Sequence, residues 1–479
     1  MNNIKQAAIG SHYFERKFTT YLFLITLIAF TVRIINITFA SMWSDELYSM
    51  LSVHPDNSWY EVLYMQRKDQ PPVYFVLLSY WTKVFGFNDV SARALSVIIG
   101  TVSVFAIGFV NKKLFNARVG LLSAFITAFG FAQIEHSLEA RFYGLLFLFV
   151  TISIYTYSLT RNSSKHKFLV HAFHGVVCGT IILTHHFGAM VVMAYGLFDL
   201  VLLFKKRFQL TELWYKAVTW LTAVLVMAPW VYFSYSSVNE VRDYWLKIID
   251  VPAYLLYNIR YSTIFLVLIL LLGFAGYILA KVKVKEMITL LIVQILLVVT
   301  IPVVFSYLLF PILVPRYSFA MGPAIFTLLA IGLVAFAEHM SRYKIAVLIF
   351  ILFLLSFDGL KASFFDKEPL RKEPWREMAQ WLRQQPDLQT TDIYSVGYLL
   401  KGRFTLDYYL PEKKARNMQV DTAGLSLVKR FYLVETNGHD VLKKTEKDDL
   451  KNRYDFKEVF IGFPKAGQGG TITIFTAKN

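Results

Sequence analysis

The residues of this sequence that could do chemistry are acids and arginines at the edges of long apolar segments. Asp45 and Glu46 directly follow the first of these segments. Adjacent carboxylates beside an apolar surface can hold one member ready as a general base. The alternative is a helix start, with Ser44 as the N-cap and both acids in the first turn. The pair is therefore a candidate for catalysis or for helix capping.

A second polar group lies in the turn 135–143, with the sequence EHSLEARFY, between two later apolar segments. It packs two acids, a histidine and an arginine into one short turn, which is costly in a membrane unless the groups pair or bind a ligand. Functional and structural interpretations both stay open for this turn. Its candidate site residues are Glu139, Arg141 and Tyr143.

Three further arginines lie within or beside apolar segments. Arg33 lies inside the first segment, where an arginine faces a cavity or an acidic partner, or extends its side chain to the surface. Arg93 and the pair Arg316-Tyr317 lie at segment ends. A guanidinium binds phosphate through paired hydrogen bonds, although each of these arginines could equally anchor the chain at the interface.

Two weaker candidates come from short motifs. Gln70 begins a Gln-Pro-Pro sequence, where prolines at a helix start need no functional explanation. His185 and His186 could bind a metal, but consecutive side chains diverge and no partner with ligand spacing is near. Polar turn residues are the favoured interpretation of the two histidines.

The composition indicates an integral membrane protein. The 479 residues are 56% hydrophobic and 16% aromatic, with a mean hydropathy of +0.47, against about 45–50% apolar residues in soluble domains. The single cysteine, Cys178, excludes an intrachain disulfide and a cysteine-based metal site. The net charge of +16 lies largely in short loops, where membrane lipids explain it better than nucleic acid does.

Apolar segments and charge together predict the topology. The segments are 20–40, 70–86, 92–111, 118–134, 139–160, 168–184, 186–204, 214–234, 261–280, 287–309, 318–337 and 343–360. If 70–86 lies at the outer interface instead of crossing, all the basic loops fall on the side of the N-terminus. The positive-inside rule then predicts eleven transmembrane helices, a cytoplasmic N-terminus, an outer C-terminus, and all the candidate site residues on the outer face.

The region after residue 360 is predicted to form a separate domain. Residues 375–382 have the pattern of an amphipathic helix, while 392–396, 431–435 and 471–476 alternate like strands. We therefore expect a transmembrane domain over 1–360 and a small outer α/β domain over 361–479.

These motifs resemble the GT-C superfamily of polyprenyl-phosphate-sugar-dependent glycosyltransferases, in particular the branch similar to bacterial protein O-mannosyltransferases and the lipid A aminoarabinose transferase. The resemblance covers most of the membrane region, and Trp375-Arg376 extends it into the outer domain. It is carried by Asp45-Glu46, Gln70-Pro71-Pro72, Arg93, the turn 139–143 and Pro315-Arg316-Tyr317. Two features depart from the family pattern. Gln70 replaces its usual histidine, and no aspartate follows Arg141.

The resemblance implies transfer of a sugar from a lipid phosphate to a glycan, lipid or protein acceptor, with inversion. Asp45 is then the expected base, and Arg93, Arg141 and Arg316 are expected to stabilise the departing phosphate. Glu46 and Glu139 would orient those arginines or help to bind a divalent cation, whose use the sequence leaves open. The implied location is a bacterial inner membrane, although an endoplasmic-reticulum membrane has equivalent topology.

Two other classes compete with this interpretation. A transporter or lipid flippase would have charged residues through the depth of the membrane, whereas most here lie at the outer ends. The broken helices in matching halves that mark many transporters are also missing from the sequence pattern. A receptor or scaffold would leave the acidic first loop and the outer arginines without a role.

Overall fold

The computed structural model describes a helical membrane region followed by a small sheet. The described residues are 2–65, 70–162, 165–205, 210–235, 250–259, 282–339, 344–367, 370, 372–395, 398–400, 403–418, 428–436, 443–463 and 468–478. The predicted segment 261–280 lies outside them.

The helices of the membrane region follow the predicted apolar segments. They are α1 Asn2–Ile34, α2 Ser44–Ser52, α3 Trp59–Met65, α4 Val73–Phe85, α5 Asp89–Leu114, α6 Ala117–Phe129, α7 Phe131–Ser137, α8 Tyr143–Asn162, α9 Lys167–Ile182, α10 Gly188–Phe204, α11 Leu210–Tyr235, α12 Val251–Leu256, α13 Val282–Leu308, α14 Gly322–His339 and α15 Lys344–Phe364. Short 3-10 helices at Tyr257–Ile259 and Pro315–Met321 follow α12 and precede α14.

Several of these helices are suited to crossing a membrane. Within the described residues, five are long and apolar enough, and α6 with α7 makes a sixth if the two form one bent span. Helices α9 and α10 are apolar but shorter, with 16 and 17 residues. The multi-pass membrane architecture is therefore confirmed, while the number of eleven transmembrane helices stays a prediction.

Helix α4 covers the segment that the charge pattern assigns to the outer interface. It begins immediately after two prolines, which favour the first turn of a helix. Its 13 residues rise only about 20 Å, against about 30 Å for a hydrocarbon core. This length agrees with an interfacial helix rather than a transmembrane one.

The predicted segment 118–134 does not form one straight helix. It breaks at Gly130 into α6 and α7, whose axes differ by 61°. Gly359 of α15 packs against this corner so closely that an added Cβ would lie 2.0 Å from the Phe129 carbonyl oxygen. The corner thus depends on a residue without a side chain on the neighbouring helix.

Arg33 binds the same corner from α1. Its guanidinium donates to the carbonyl oxygens of Thr127 at 3.2 Å and Ala128 at 3.0 Å, and to Ser137 Oγ at 3.0 Å. These carbonyls lie in the last turn of α6, where helical partners are missing. Arg33 is fully buried, and its described hydrogen bonds go to no carboxylate. Among the described residues, Arg33 therefore neither reaches the surface nor pairs with an acid.

Ion pairs join helix ends on the face that carries the basic loops. The pairs are Lys112–Glu15, Arg118–Glu338 and Arg161–Glu286. Lys112 near the end of α5 pairs with Glu15 within α1, Arg118 at the start of α6 pairs with Glu338 at the end of α14, and Arg161 at the end of α8 pairs with Glu286 near the start of α13. One face of the helical region therefore collects these basic loops and residue 15 of α1, as the predicted topology requires.

The C-terminal region forms a small α/β unit, as predicted. Its elements are α16 Trp375–Arg383, β1 Asp392–Ser395, β2 Tyr398–Leu400, β3 Arg403–Phe404, α17 Thr405–Tyr409, β4 Arg416–Asn417, β5 Arg430–Thr436, α18 Lys444–Arg453, β6 Tyr454–Phe463 and β7 Gln468–Ala477. The main sheet has the order β4-β1-β5-β7-β6. Strand β1 pairs in parallel with β4 and β5, and β7 runs antiparallel between β5 and β6.

Helix α16 has the expected amphipathic character. Trp375, Met378, Ala379 and Leu382 are buried, at the spacing of one helical face. They belong to the same buried apolar cluster as Met50 of α2. The apolar core thus continues from the membrane region into the C-terminal unit.

Polar contacts also hold the C-terminal unit on the loop that follows α1. The Tyr409 hydroxyl accepts from the Met42 amide at 2.9 Å and donates to Asp89 Oδ2 at 2.6 Å. The Arg376 amide donates to Ser41 Oγ at 3.1 Å. The segment that leads into α2 is therefore fixed by the C-terminal unit from one side.

Candidate active site

Helix α2 presents Asp45 and Glu46 from its first turn. Its N-cap residue is Trp43, which makes no side-chain cap hydrogen bond. The expectation of Ser44 as N-cap is wrong, because its amide and hydroxyl both donate to a Glu373 carboxylate oxygen. Glu373 also accepts from the indole nitrogen of Trp375. The Glu373 carboxylate, which belongs to the C-terminal segment, therefore accepts hydrogen bonds at the start of α2.

Glu46 and Arg93 form a buried ion pair. Arg93 Nε and Nη2 donate to the two carboxylate oxygens of Glu46 at 2.8 and 2.6 Å. The remaining guanidinium hydrogens reach the carbonyl oxygens of residues 37, 40 and 41. All five N–H donors of Arg93 are thus satisfied. The structure argues against Arg93 as a phosphate ligand or interface anchor and assigns it to holding Glu46.

Asp45 is the accessible carboxylate of the pair. Its side chain is 30% exposed, whereas that of Glu46 is 1% exposed. Arg316 Nη2 donates to Asp45 Oδ2 at 3.1 Å, and Arg141 Nη2 lies 3.7 Å from the same oxygen. Arg141 also donates to the Asp45 carbonyl oxygen and to Ser49 Oγ. Asp45 therefore faces two guanidinium groups brought from distant parts of the chain.

Polar atoms around Asp45 lack hydrogen-bond partners among the described residues. They are Nε of Arg141, Nε of Arg316 and the hydroxyl of Tyr143, all of which are buried. Buried unpaired donors are rare in folded proteins and call for an explanation such as a bound ion, water or ligand. The three groups together can donate hydrogen bonds to an anion beside Asp45.

Glu139 lies in a second cluster of charges close by. Its carboxylate contacts His136 Nδ1 at 3.0 Å and the ammonium of Lys372. Burial acts to raise the pKa of Glu139, but the charges and hydrogen bonds of Lys372 and His136 bring it well below its usual value. Glu139 is therefore a fixed anion and not a proton carrier.

His185 and Tyr317 form part of an aromatic wall. The ring of His185 lies 4.7 Å from the ring of Tyr317 and 4.8 Å from that of Phe142. Burial, together with the nearby charges of His186, Arg141 and Arg316, lowers the pKa of His185 well below its usual value, so the imidazole is neutral. Its Nδ1 accepts from the Phe187 amide at 3.1 Å.

The paired histidines differ in burial. His186 is exposed, and its ring centroid lies 5.4 Å from that of Trp230 and 6.4 Å from that of the buried His185. Across the described ranges, no group of three histidine, cysteine or acidic side chains is arranged for a metal ion.

Two other candidates from the sequence do not join the Asp45 cluster. Gln70 lies just before α4 with a buried side-chain oxygen, and within the described residues no hydrogen bond links it to Asp45 or its arginines. Arg33 binds the corner between α6 and α7 instead.

The sequence analysis missed Lys372 and Trp43. Lys372 Nζ lies 4.3 Å from the centroid of the Trp43 ring, and the Arg316 guanidinium lies 5.0 Å from it. The signal available was weak, because Lys372 is one charge in the basic sequence RKEPWR that opens the C-terminal unit. Only the fold shows that this segment lies over the outer turn.

Comparisons with known proteins agree on one architecture. Residues 69–233 match the family described as dolichyl-phosphate-mannose-protein mannosyltransferase. The sequence matches no curated protein in a direct comparison.

Solved structures resemble the whole chain. ArnT from Cupriavidus metallidurans in the apo state has a TM-score of 0.62 at 12% identity, covering 95% of this chain and 98% of that one. The same protein bound to undecaprenyl phosphate has a TM-score of 0.58 at 11% identity, with the same coverage of both chains. A third similar structure is the archaeal oligosaccharyltransferase AglB from Archaeoglobus fulgidus, in complex with an inhibitory peptide and a dolichol-phosphate. It has a TM-score of 0.50 at 11% identity, and the match covers 88% of this chain and 69% of that one.

Proposed function

The chain has the fold of the GT-C glycosyltransferase superfamily, and from that premise we propose that it transfers a sugar from a polyprenyl-phosphate donor to an acceptor. The transfer takes place at the outer membrane face and inverts the anomeric carbon. The acceptor is a hydroxyl of a glycan, lipid or protein. The location is a bacterial inner membrane, with the C-terminal unit outside.

One observation carries this proposal. Beside an accessible carboxylate, Asp45, the guanidinium groups of Arg141 and Arg316 each keep a buried Nε without a partner in the described structure, and the buried Tyr143 hydroxyl also lacks one. A lipid phosphate offers oxygens for these donors, and its tail can remain in the membrane. Undecaprenyl phosphate and dolichol-phosphate are the lipids named with the similar structures.

The proposed chemistry is a single displacement. Asp45 accepts the proton of the acceptor hydroxyl while the acceptor oxygen bonds to the anomeric carbon. The bond from that carbon to the phosphate oxygen breaks, and its electron pair leaves with the phosphate. The donor carries one negative charge on its phosphate diester, and the product lipid monophosphate gains a second as the bond breaks.

Arg141 and Arg316 are placed for this change of charge. Both contact the Asp45 carboxylate. A phosphate seated on their Nε groups would share their charge and leave Asp45 freer to accept a proton. Because the phosphate charge grows during the reaction, fixed guanidinium groups stabilise the transition state more than the ground state.

Binding of the lipid phosphate that the reaction releases is the first test. Purified full-length protein is titrated with undecaprenyl phosphate in nanodiscs, and the bound lipid is counted by native mass spectrometry. We expect Arg316→Ala to weaken binding by about tenfold or more, as loss of a charged hydrogen bond of about 1.5–3 kcal/mol requires. Arg118→Ala is the matched control, because Arg118 pairs with Glu338 on the opposite face. Equal affinities for wild type and Arg316→Ala would remove the proposed phosphate site.

Transfer itself is tested by deleting the protein and finding which glycan or glycolipid loses one sugar. Complementation with Asp45→Asn should leave expression and lipid binding intact and restore no transfer, because the amide cannot accept the proton. Asp56→Asn is the control on the same outer loop, since the Asp56 side chain is 79% exposed. Near-normal transfer by Asp45→Asn would exclude Asp45 as the base.

A further inference from the structure

Lys372 enters the outer turn from the segment between α15 and α16. Its ammonium contacts the Glu139 carboxylate, lies 3.4 Å from Glu135 Oε1 and stands over the Trp43 ring. The side chain is 19% exposed. A lysine of the C-terminal region therefore lies among acids that belong to the membrane region.

These groups form a closed ring of polar contacts. Glu139 contacts His136 Nδ1 at 3.0 Å, and the other nitrogen of His136 lies 2.9 Å from the Tyr257 hydroxyl. The Tyr257 hydroxyl donates to Glu135 Oε2 at 3.1 Å. Lys372 bridges Glu135 and Glu139 and thereby completes the ring. A cation between two carboxylates offsets their mutual repulsion and the cost of burying their charge.

The acids that the sequence offered for a divalent cation are already occupied. Both oxygens of Glu46 bind Arg93, and one also accepts from the Ala140 amide. Both oxygens of Glu139 are engaged by His136 and Lys372. Magnesium and calcium require several free oxygens at about 2.0–2.6 Å, so the residues present do not fit such an ion.

We propose that Lys372 is the resident cation of this site, occupying the place between Glu135 and Glu139 that a divalent metal would need. It is a positioning residue. By fixing Glu139 it fixes the turn whose Ala140 amide holds Glu46 and whose Arg141 faces Asp45. The C-terminal unit thereby completes the membrane site. This inference deepens the proposed transferase function, on which its catalytic part rests.

Metal binding tests the inference without any sugar transfer. Binding of Mn²⁺ to purified full-length protein is measured by electron paramagnetic resonance for wild type, Lys372→Ala and Lys361→Ala. Lys361 is the control, because it is an exposed lysine in the last turn of α15. We expect one-to-one binding in Lys372→Ala alone, where Glu135 and Glu139 lose the ammonium that lies between them. One-to-one binding in wild type, or its absence in Lys372→Ala, would overturn the proposal.

The thermal midpoint of unfolding shows whether the Lys372→Ala variant is folded, and it provides a second test of the proposal. Lys372→Ala should lower the thermal midpoint, and Mn²⁺ should restore it. Combining Lys372→Ala with Glu139→Gln removes one charge of each sign, so the midpoint should recover without metal. If the double variant is no more stable than Lys372→Ala, the ammonium does not compensate Glu139 and the proposal fails.

Kinetics separates this inference from the proposed function. For an acceptor identified by deletion, wild-type transfer should be unaffected by EDTA. Lys372→Ala should lower kcat on the order of 10²-fold, as a misplaced turn does, with little change in donor KM, while Lys372→Arg retains part of the activity. Loss of wild-type transfer in EDTA would refute the role of Lys372 as the resident cation and would leave the proposed transferase function intact. A complete lack of transfer by wild type would refute the transferase and leave the Mn²⁺ test standing.

Discussion

Arginines that look alike in the sequence have different surroundings in the fold. Arg93 satisfies all five of its donors with Glu46 and three carbonyls, whereas Arg141 and Arg316 each keep a buried Nε without a partner in the described structure. A guanidinium whose donors all bind protein acceptors stabilises the fold. A guanidinium that has a donor without a protein acceptor can bind a ligand. This difference decides which arginines belong to the proposed phosphate site.

Arg93 should therefore act on stability and not on donor affinity. Removing one partner of a buried ion pair costs about 3–5 kcal/mol, because the other charge stays buried and uncompensated. We expect Arg93→Met and Glu46→Gln each to lower the thermal midpoint strongly, and the double variant Arg93→Met/Glu46→Met to lower it less than the sum. The midpoint is read by intrinsic fluorescence in detergent. An Arg93→Met protein with a wild-type midpoint but weakened undecaprenyl-phosphate binding would contradict this assignment.

The pKa of Glu139 predicts a dependence of stability on pH. In the wild type this pKa is lowered on folding, so Glu139 contributes stability above its unfolded pKa of about 4.3, which is lost as the pH falls through the folded value. In Lys372→Met the burial and the His136 contact remain without the attraction of the ammonium, so the pKa of Glu139 rises above its wild-type value. Acid then protonates Glu139 in the variant and relieves its buried charge.

We accordingly expect the difference in thermal midpoint between wild type and Lys372→Met to shrink between about pH 7.5 and about pH 5. Adding Glu139→Gln to both proteins should abolish this dependence, since the titrating group is gone. A difference that stays constant with pH, or that shrinks equally with Glu139→Gln present, would assign the effect to another group.

At the scale of elements, the corner between α6 and α7 shapes the face that carries Asp45. It turns the chain by 61° at Gly130, and α7 then leads into the turn that carries Glu139 and Arg141. Arg33 binds the free carbonyls of the corner, and Gly359 lets α15 approach it. A straight transmembrane helix over 118–134 would have placed the outer turn elsewhere.

Gly359→Ala should therefore disturb the corner. The new Cβ would meet the Phe129 carbonyl at 2.0 Å, and overpacking of this kind costs about 1–3 kcal/mol. Gly144→Ala is the matched helix control, because its Cβ would lie at an ordinary 3.6 Å from Ile99. We expect a lower thermal midpoint for Gly359→Ala only. Equal midpoints for the two variants would show that α15 adjusts without strain.

At the scale of the whole molecule, two faces of the helical region differ in charge and in role. One face carries the basic loops, joined by pairs such as Arg118–Glu338. The other carries the Asp45 cluster and the C-terminal unit, which covers the first outer loop through Tyr409 and Arg376. This division agrees with an enzyme whose lipid donor is used on one side of the membrane.

The orientation of these faces is a prediction of its own. Because basic loops stay in the cytoplasm, an epitope tag placed after Asn479 should be labelled by antibody in spheroplasts with an intact inner membrane. A tag before Met1 should be labelled only after permeabilisation. Protection of the C-terminal tag would reverse the topology and move the proposed site to the cytoplasmic face.

The sequence by itself determined the membrane class, most helices and the small C-terminal α/β unit. Hydropathy and alternation are local properties, so a short window suffices to detect them. Strand β6 was missed because charged residues such as Lys457 and Glu458 interrupt its apolar pattern. The placement of Asp45 and Arg316 on one face also followed from the sequence, through the positions of the basic loops.

Only the tertiary structure decided which charges meet. Arg93 pairs with Glu46 across 47 positions, Lys372 with Glu139 across 233, and Arg316 with Asp45 across 271. Each arginine has the same side chain, and its role depends on which acceptors the packed helices bring within about 3 Å. That choice is made by helix packing, the corner at Gly130 and the docking of the C-terminal unit, and none of these is encoded in a local window of sequence.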